Sequence, residues 1–232
     1  MDDFNQLQPY QAFAQRPFPR PRGIIERLMD ISGINRVFLR AGKRPEVNPH
    51  ETRLLAPAES KLVEIQNLTP SNSIKGKSRL GEHEYYTYQE IVHSQEMQHK
   101  FDGGICFNFY LSPLNLHYLL HPTTGKVLLW DYHPHFCYPI LFMKSGEVTN
   151  ERLVLYMETP QGTPYVIILI GSFMVSGIEC VAQPGETCTV GSLLGGFRLG
   201  STVMLLFPKN SVTPLVTANT KLNLATPFAE WN

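Results

Sequence analysis

Cysteine is scarce in this sequence and its few copies stand apart. Cys106, Cys137, Cys180 and Cys188 are four among 232 residues and form no CxxC pair. A zinc knuckle needs thiolates at short paired spacing and a small secreted scaffold needs a dense set of bridges, so neither is indicated and a reducing cytoplasm fits. An excess of either charge is also missing, because 20 Lys plus Arg offset 20 Asp plus Glu. Without a basic face nothing advertises nucleic acid, and no such partner is expected. Nor does any apolar run reach the roughly 20 residues of a membrane-spanning helix. The most apolar stretch, VIILIGSFMVSGI from Val166 to Ile178, is bracketed by polar loops and reads as core. The opening MDDFNQLQPYQAFAQRPFPRPRG has acids where a signal peptide needs positive charge and lacks an apolar h-region, so export is not expected.

What is present is the material for one large core, with 43% hydrophobic and 11% aromatic residues. Residues 1–22 mix Pro, Gln and Arg without an apolar period and read as a flexible arm; residues 23–232 read as one domain. In IIERLMDIS, Ile24, Leu28 and Ile31 fall on one helical stripe, which predicts a short amphipathic helix. After Pro57 come short apolar runs, KLVEI, GICFNFYLS, KVLLW, RLVLYME and TPYVIILIG, bounded by Gly, Pro, Asn and Ser: strand signals. The stretch Tyr85 to Lys100, YYTYQEIVHSQEMQHK, is polar and free of Gly and Pro, and predicts a helix among the strands. The expected class is α+β, mainly β, with the helices mostly in the N-terminal half.

Two motifs carry chemistry. In GGFRLGSTVMLLF, Gly200 and Ser201 stand at the mouth of a continuous apolar run. Glycine tolerates positive φ and lets a neighbouring hydroxyl approach its carbonyl, the geometry by which Ser201 would attack the peptide bond before it. That attack turns the amide into an ester. Elimination across the serine Cα–Cβ bond then cuts the chain, and hydrolysis of the dehydroalanine leaves a ketone. In YLSPLNLHYLLHPTTGK, His117 and His121 stand four residues apart, a spacing that shares one face, and imidazoles titrate near neutrality as proton transfer requires. Read separately, each motif also has a plain structural account: a turn before a buried strand, and two packed histidines.

Together, LSPLNLHYLLHPTTG and GGFRLGSTVMLLF resemble the two signature regions of the phosphatidylserine decarboxylase family, pyruvoyl enzymes made as self-cleaving proenzymes. FLRAGKRPEV, LLAPAESKLVEI, IKGK and NERLVLYMETPQGTPYVIILIGSFMVSGIEC fall in that family's order, so the resemblance runs from about Val37 to Phe207. It implies cleavage between Gly200 and Ser201, giving a β-chain that ends at residue 200 and an α-chain that begins at 201, with Ser201 converted to the pyruvoyl cofactor. It implies that His121 activates the serine, that His117 handles the substrate's proton, and that a carboxylate orients the activating histidine. The pyruvoyl ketone would take the substrate's amine as a Schiff base and accept electrons as the α-carboxylate leaves, converting phosphatidylserine to phosphatidylethanolamine. A homo-oligomer of cleaved α/β protomers follows from the same likeness.

Departures are legible as well. Where the family has a PADG-like motif this chain has Pro57-Ala58-Glu59-Ser60, so Glu59 takes the acid's place, with Asp102 of FDGG as a substitute. Asn115, Leu116 and Tyr118 surround the first histidine where the family shows an acid and an arginine. The missing charge pair leaves open a soluble amino acid or peptide-like substrate instead of the phospholipid, and the Glu59 and Ser60 changes leave open a non-catalytic interaction protein. A metal site on Asp131, His133, His135 and Cys137 of WDYHPHFC is disfavoured by Pro134, and a Ser201–His121–Glu59 hydrolase lacks the GxSxG elbow. Arg20, Arg22, Arg27, Arg36, Arg40, Lys43 and Arg44 give the first fifth a basic bias suited to peripheral contact with an anionic membrane.

Overall fold

The computed structural model describes residues 28, 31, 32, 47, 52–68, 73–75, 85–92, 99–134, 149–172, 177–197 and 201–232. Short β-branched and aromatic runs separated by Gly, Pro and Asn turns form the strands. In chain order these are β1 (Arg53–Leu55), β2 (Ser60–Asn67), β3 (Ser73–Lys75), β4 (Tyr85–Thr87), β5 (Ile105–Leu111), β6 (Tyr118–Leu120), β7 (Gly125–His133) and β8 (Arg152–Glu158). They continue with β9 (Pro164–Gly171), β10 (Ile178–Cys180), β11 (Thr187–Cys188), β12 (Leu193–Phe197), β13 (Ser201–Phe207), β14 (Val212–Pro214), β15 (Thr220–Leu222) and β16 (Pro227–Trp231).

An eight-stranded sheet in the order β11-β7-β8-β9-β13-β5-β2-β15 forms the frame. Its ladders are antiparallel. Side chains alternate across it. Val203, Leu205 and Phe207 of β13 join Phe107, Phe109, Leu153, Leu155, Ile167 and Leu169 in the main core. The small sheets β1-β16-β14 and β10-β12-β6 add Leu54, Phe228, Leu119, Leu194 and Phe197 to the same core. Met204 and Leu206 face the other way, with Val154, Ile168 and Ile170, under Leu68, Ile91, Val92 and Phe101. Both faces of β13 are therefore buried, which is why its sequence is continuously apolar after Thr202. Phe228 closes the centre, edge-on to Phe107 and Phe109 with ring centroids 5.0 and 5.1 Å apart.

The β-rich class stands, and among the described residues the helical part is small. Tyr85–Thr87 is strand β4, paired with β3, while Tyr88–Ile91 (α1) is α-helical and His99–Phe101 forms a 3-10 turn; residues 93–98 lie outside the described residues. Two adjacent tyrosines and a threonine favour a pleated surface once a partner strand is available, and that partner lies outside any local reading. Leu28 and Ile31 are helical, with Ser32 N donating to Leu28 O at 2.9 Å, yet both side chains are exposed. Ile24 and residues 1–22 lie outside the described residues. Among the described residues no helix is long and apolar enough to cross a membrane.

Candidate active site

Ser201 opens β13, and the ladders fix its place. It pairs with Leu111 of β5 on one side and with Gly171 of β9 on the other. In the alternation of the strand it shares a face with Val203 and Leu205, so its hydroxyl points to the end of the main core. The residue is 1% exposed, and among the described residues its Oγ has no hydrogen-bond partner. Leaving a buried hydroxyl unpaired costs about 1–3 kcal/mol, so this serine is placed against its stability preference. Gly200, the other side of the expected cleavage junction, lies outside the described residues.

The same end of the sheet gathers Glu59 and His117. Ser60 begins β2, which pairs with β5 so that Lys61 faces Tyr110; one step on, Ser60 lies beside Leu111, two strand spacings or about 10 Å from Ser201. Glu59, half-buried, reaches from there to the loop after β5. Its Oε1 accepts from Asn115 Nδ2 and its Oε2 from Leu116 N, both at 3.2 Å. Asn115 Oδ1 accepts from Ser112 N at 2.8 Å and from Ser112 Oγ at 2.9 Å. The backbone carbonyl of Asn115 takes the next link, 2.8 Å from His117 Nδ1. His117 is fully buried, and its carbonyl accepts from Phe197 N at 3.1 Å, four residues before Ser201.

His121 is placed differently. It follows β6, its N donating to Ser192 O and its O accepting from Gly191 N, both at 2.9 Å. Four residues of extended chain separate it from His117, about 13 Å. It is fully buried, and among the described residues neither ring nitrogen has a hydrogen-bond partner. Burial depresses its pKa to about 4, so the imidazole is neutral at pH 7. Ser201 Oγ and His121 are thus not hydrogen-bonded to each other, and Glu59 does not orient His121. Glu59, expected as the acid behind the activating histidine, here anchors the turn that carries His117. A carboxylate has two acceptors, and here backbone and amide donors of that turn occupy them.

Asp102 is excluded as the substitute acid by register. Ile105 pairs with Phe207 and Leu111 with Ser201, so Asp102, in the turn before β5, lies at the far end of that ladder, on the order of 20 Å from the serine. Its carboxylate stands 3.9 Å from His99 Nδ1 at the surface. Asp131 and His133 pair with each other at 2.8 Å, His135 and Cys137 lie outside the described residues, and among the described residues no group of three or more ligand side chains assembles. The thiols of Cys106 and Cys180 are pushed up to about 12 and that of Cys188 to about 11, chiefly by burial, so none is a ready nucleophile.

Sequence reasoning missed a second polar group on the serine's rung. Gly171 N donates to Glu151 O at 2.8 Å, and Asn150 Nδ2 donates to Gly171 O at 2.9 Å. Glu151, 2% exposed, accepts from Tyr132 OH through Oε1 and from Gly177 N at 2.7 Å through Oε2. A signal was available: an Asn-Glu-Arg triplet directly preceding a strand as apolar as LVLYM puts charge where a core begins. A cavity of about 820 Å³, lined by Thr52, Thr123, Thr159, Gln161 and Trp231 among others, opens instead at the β8–β9 turn, the opposite end of β9 from Gly171. Thr123, Thr124 and Thr159 there are spent on Trp231 Nε1, Val190 N and Thr163 N.

The fold and these groups define a β-rich domain with a buried serine at a strand mouth and a hydrogen-bonded histidine turn beside it. The family model for phosphatidylserine decarboxylase matches residues 34–230, and the chain belongs to that family. Among curated relatives, the phosphatidylserine decarboxylase proenzyme of Pectobacterium atrosepticum is 29% identical over 83% of this chain and 63% of its own length. That of Alcanivorax borkumensis is 28% identical over 74% and 65%, and that of an Anaeromyxobacter species 25% identical over 95% and 87%. The chain thus spans a little under two thirds of the first two relatives.

Proposed function

We propose that this chain is a pyruvoyl-dependent decarboxylase, made as a proenzyme that cuts itself between Gly200 and Ser201 and acts on the head group of phosphatidylserine. The family relationship supports the reaction class, and the curated relatives carry that substrate and the word proenzyme in their names. The observation that carries the reading on this chain is the buried, unpartnered hydroxyl of Ser201. Conversion to a ketone removes the orphaned donor, so the residue type present fits a pyruvoyl group at this position. Such a group supplies an electron-accepting carbonyl for loss of an α-carboxylate. Around it the chain's own residues exclude water: Leu111, Val203 and Phe197 are buried beside the strand mouth. By the family likeness the proton released by Ser201 goes to His121 and His117 handles the substrate's proton, while Glu59 braces the turn that carries His117.

Intact mass of the purified protein tests this. The expected result is two pieces, the smaller beginning at position 201 and reducible by borohydride, and a single uncut chain for Ser201→Ala. An uncut, borohydride-inert wild type overturns the enzyme and leaves a non-catalytic member of the family. Carbon dioxide release from phosphatidylserine vesicles against a panel of free amino acids then separates the phospholipid from a soluble substrate. A cytoplasmic protein touching membranes through its basic first fifth should float with anionic vesicles at low salt and not at high salt. Association of protomers is supported by Leu128, Leu129 and Trp130, exposed on β7 beyond the two residues paired with β11, and sedimentation reads it directly.

A further inference from the structure

We propose that the cavity at the β8–β9 turn binds a neutral, soluble sugar or polyol, gripped by three threonine hydroxyls and the indole of Trp231. The site stands apart from the decarboxylase chemistry, and only the choice of a soluble ligand over a glycolipid rests on that reading.

Three hydroxyls line this cavity of about 820 Å³ with their oxygens occupied and their hydrogens not. Thr123 Oγ1 accepts from Trp231 Nε1 at 3.3 Å, while Thr124 Oγ1 accepts from Val190 N and Thr159 Oγ1 from Thr163 N, both at 3.1 Å. A hydroxyl carries one donor beside its lone pairs, and among the described residues none of the three donates. Thr123 and Thr159 are only 8% and 6% exposed, so the cavity they line is where their hydrogens can be used. They call for an occupant rich in acceptor oxygens. Ser211 Oγ donates to Pro208 O and so offers the cavity lone pairs, and the amide of Gln161, exposed on the turn, offers both donor and acceptor. Sugar hydroxyls, which donate and accept at once, answer this mixed set. Among the described residues that line the cavity none is Lys, Arg, Asp or Glu, so an ionic ligand would give up hydration without meeting a counter-charge. Trp231 adds a fixed apolar wall: its ring stands edge-on to Phe207 and Tyr165 with centroids 5.5 and 6.5 Å apart, and its Nε1 is tied to Thr123. The C–H face of a sugar ring packs on such a surface. The volume falls within the roughly 300–1,000 Å³ of small-molecule sites. Phe207 ends the strand that Ser201 opens, about 20 Å away. With Ser201 turned to a bilayer, this end of the sheet faces away from lipid, and the ligand comes from solution.

Trp231 reports on its own site. The chain has two tryptophans, so Trp130→Phe leaves Trp231 as the single emitter, to be titrated with maltose, with myo-inositol and, as a charged counterpart, with glucuronate. Maltose or myo-inositol should shift the emission saturably, and glucuronate should bind at least about 10-fold more weakly. Thr159→Val removes one donor and should weaken binding about 3–10-fold, whereas Thr159→Ser, which keeps the hydroxyl, should stay within about 2-fold. Gln161→Ala disturbs no hydrogen bond among the described residues and should also weaken binding, with the unfolding temperature unchanged, so a loosened turn in Thr159→Val does not decide the outcome. Saturation by neither neutral probe up to about 50 mM, affinity for glucuronate equal to theirs, or binding unmoved by both Thr159→Val and Gln161→Ala overturns the proposal. Retention on glycolipid vesicles without binding of either free probe overturns the soluble source. The same titration on the chain that also carries Ser201→Ala should give the same curve, so the site is decided whether or not the protein cuts itself.

Discussion

His121 should make this protein acid-sensitive by a calculable amount. Its ring is fully buried with both nitrogens unpartnered, and burial holds its pKa at about 4 against 6.5 for the free side chain. Between those values the unfolded chain binds a proton that the folded chain refuses, so stability rises with pH across this window and falls as the medium is acidified from 6.5 toward 4. Each pKa unit is worth about 1.4 kcal/mol, so the gap costs about 3 kcal/mol by pH 4 and almost nothing at neutrality. That is a large share of the roughly 5–15 kcal/mol of a typical domain. The measurement is urea unfolding at about pH 7.5 and about pH 4, on the Ser201→Ala chain with and without the further substitution His121→Leu, so that both remain one polypeptide. Carboxylates titrate in both and cancel in the comparison. The chain that keeps His121 should lose about 3 kcal/mol more between the two conditions than the one carrying His121→Leu. Parallel losses would refute the argument, and would mean that the ring meets water or a partner when protonated.

Three further outcomes follow from the same geometry. A Cβ at Gly195, whose φ is +156°, would collide with the backbone carbonyl of Glu179 where β10 and β12 pair. Gly195→Ala should therefore cost about 2–4 kcal/mol in denaturant unfolding, because neither backbone can yield. Asp102→Asn should leave the fraction cleaved, read by intact mass, within about 2-fold of wild type, since the register puts Asp102 at the wrong end of β5. The thiol of Cys106, buried and pushed up to about 12, should resist an alkylating reagent at pH 8 in the folded protein and react within minutes in urea.

The strands were legible in the sequence because their cause is local and repetitive. Each apolar run between turn residues became a strand of the main sheet, and VMLLF showed its two-sided burial by lacking any polar alternation. Within the span Tyr85–Lys100, expected as a helix, the opening Tyr85–Thr87 is strand for the complementary reason. Absence of Gly and Pro permits a helix but does not require one, and the hydrogen bonds that decided for strand came from Ser73–Lys75. At the site, Ser201 and the two histidines could be picked out as residue types, but not their relations. Whether Glu59 serves His117 or His121 depends on a contact spanning 56 residues to Asn115, and no spacing rule encodes it. Glu151 went unnoticed because its partners, Tyr132 and Gly177, are 19 and 26 residues away and become neighbours only across the sheet.

Buried polar atoms without partners occur elsewhere in the sheet too, at Asn108 and at Tyr165 OH, so what sets Ser201 apart is its own place in the ladder. Ser201 Oγ and both nitrogens of His121 are buried without partners, while the polar atoms of Glu59, Asn115 and Ser112 at the same end of the sheet as the serine are paired to one another. A folded chain leaves a buried donor unpaired at about 1–3 kcal/mol each only when the packing around it is set by something else. At Ser201 that something is the register of β13 between β5 and β9, which holds the hydroxyl at the end of the core regardless of what it bonds. A reaction that consumes the hydroxyl would therefore relax the folded state as well as create the cofactor. The cut chain should accordingly be no less stable at neutral pH than an uncut chain that keeps the serine hydroxyl, despite having lost a covalent link. A cleaved form that unfolds at markedly lower urea would show that the continuous backbone, and not the seven-residue strand, holds Ser201 in place.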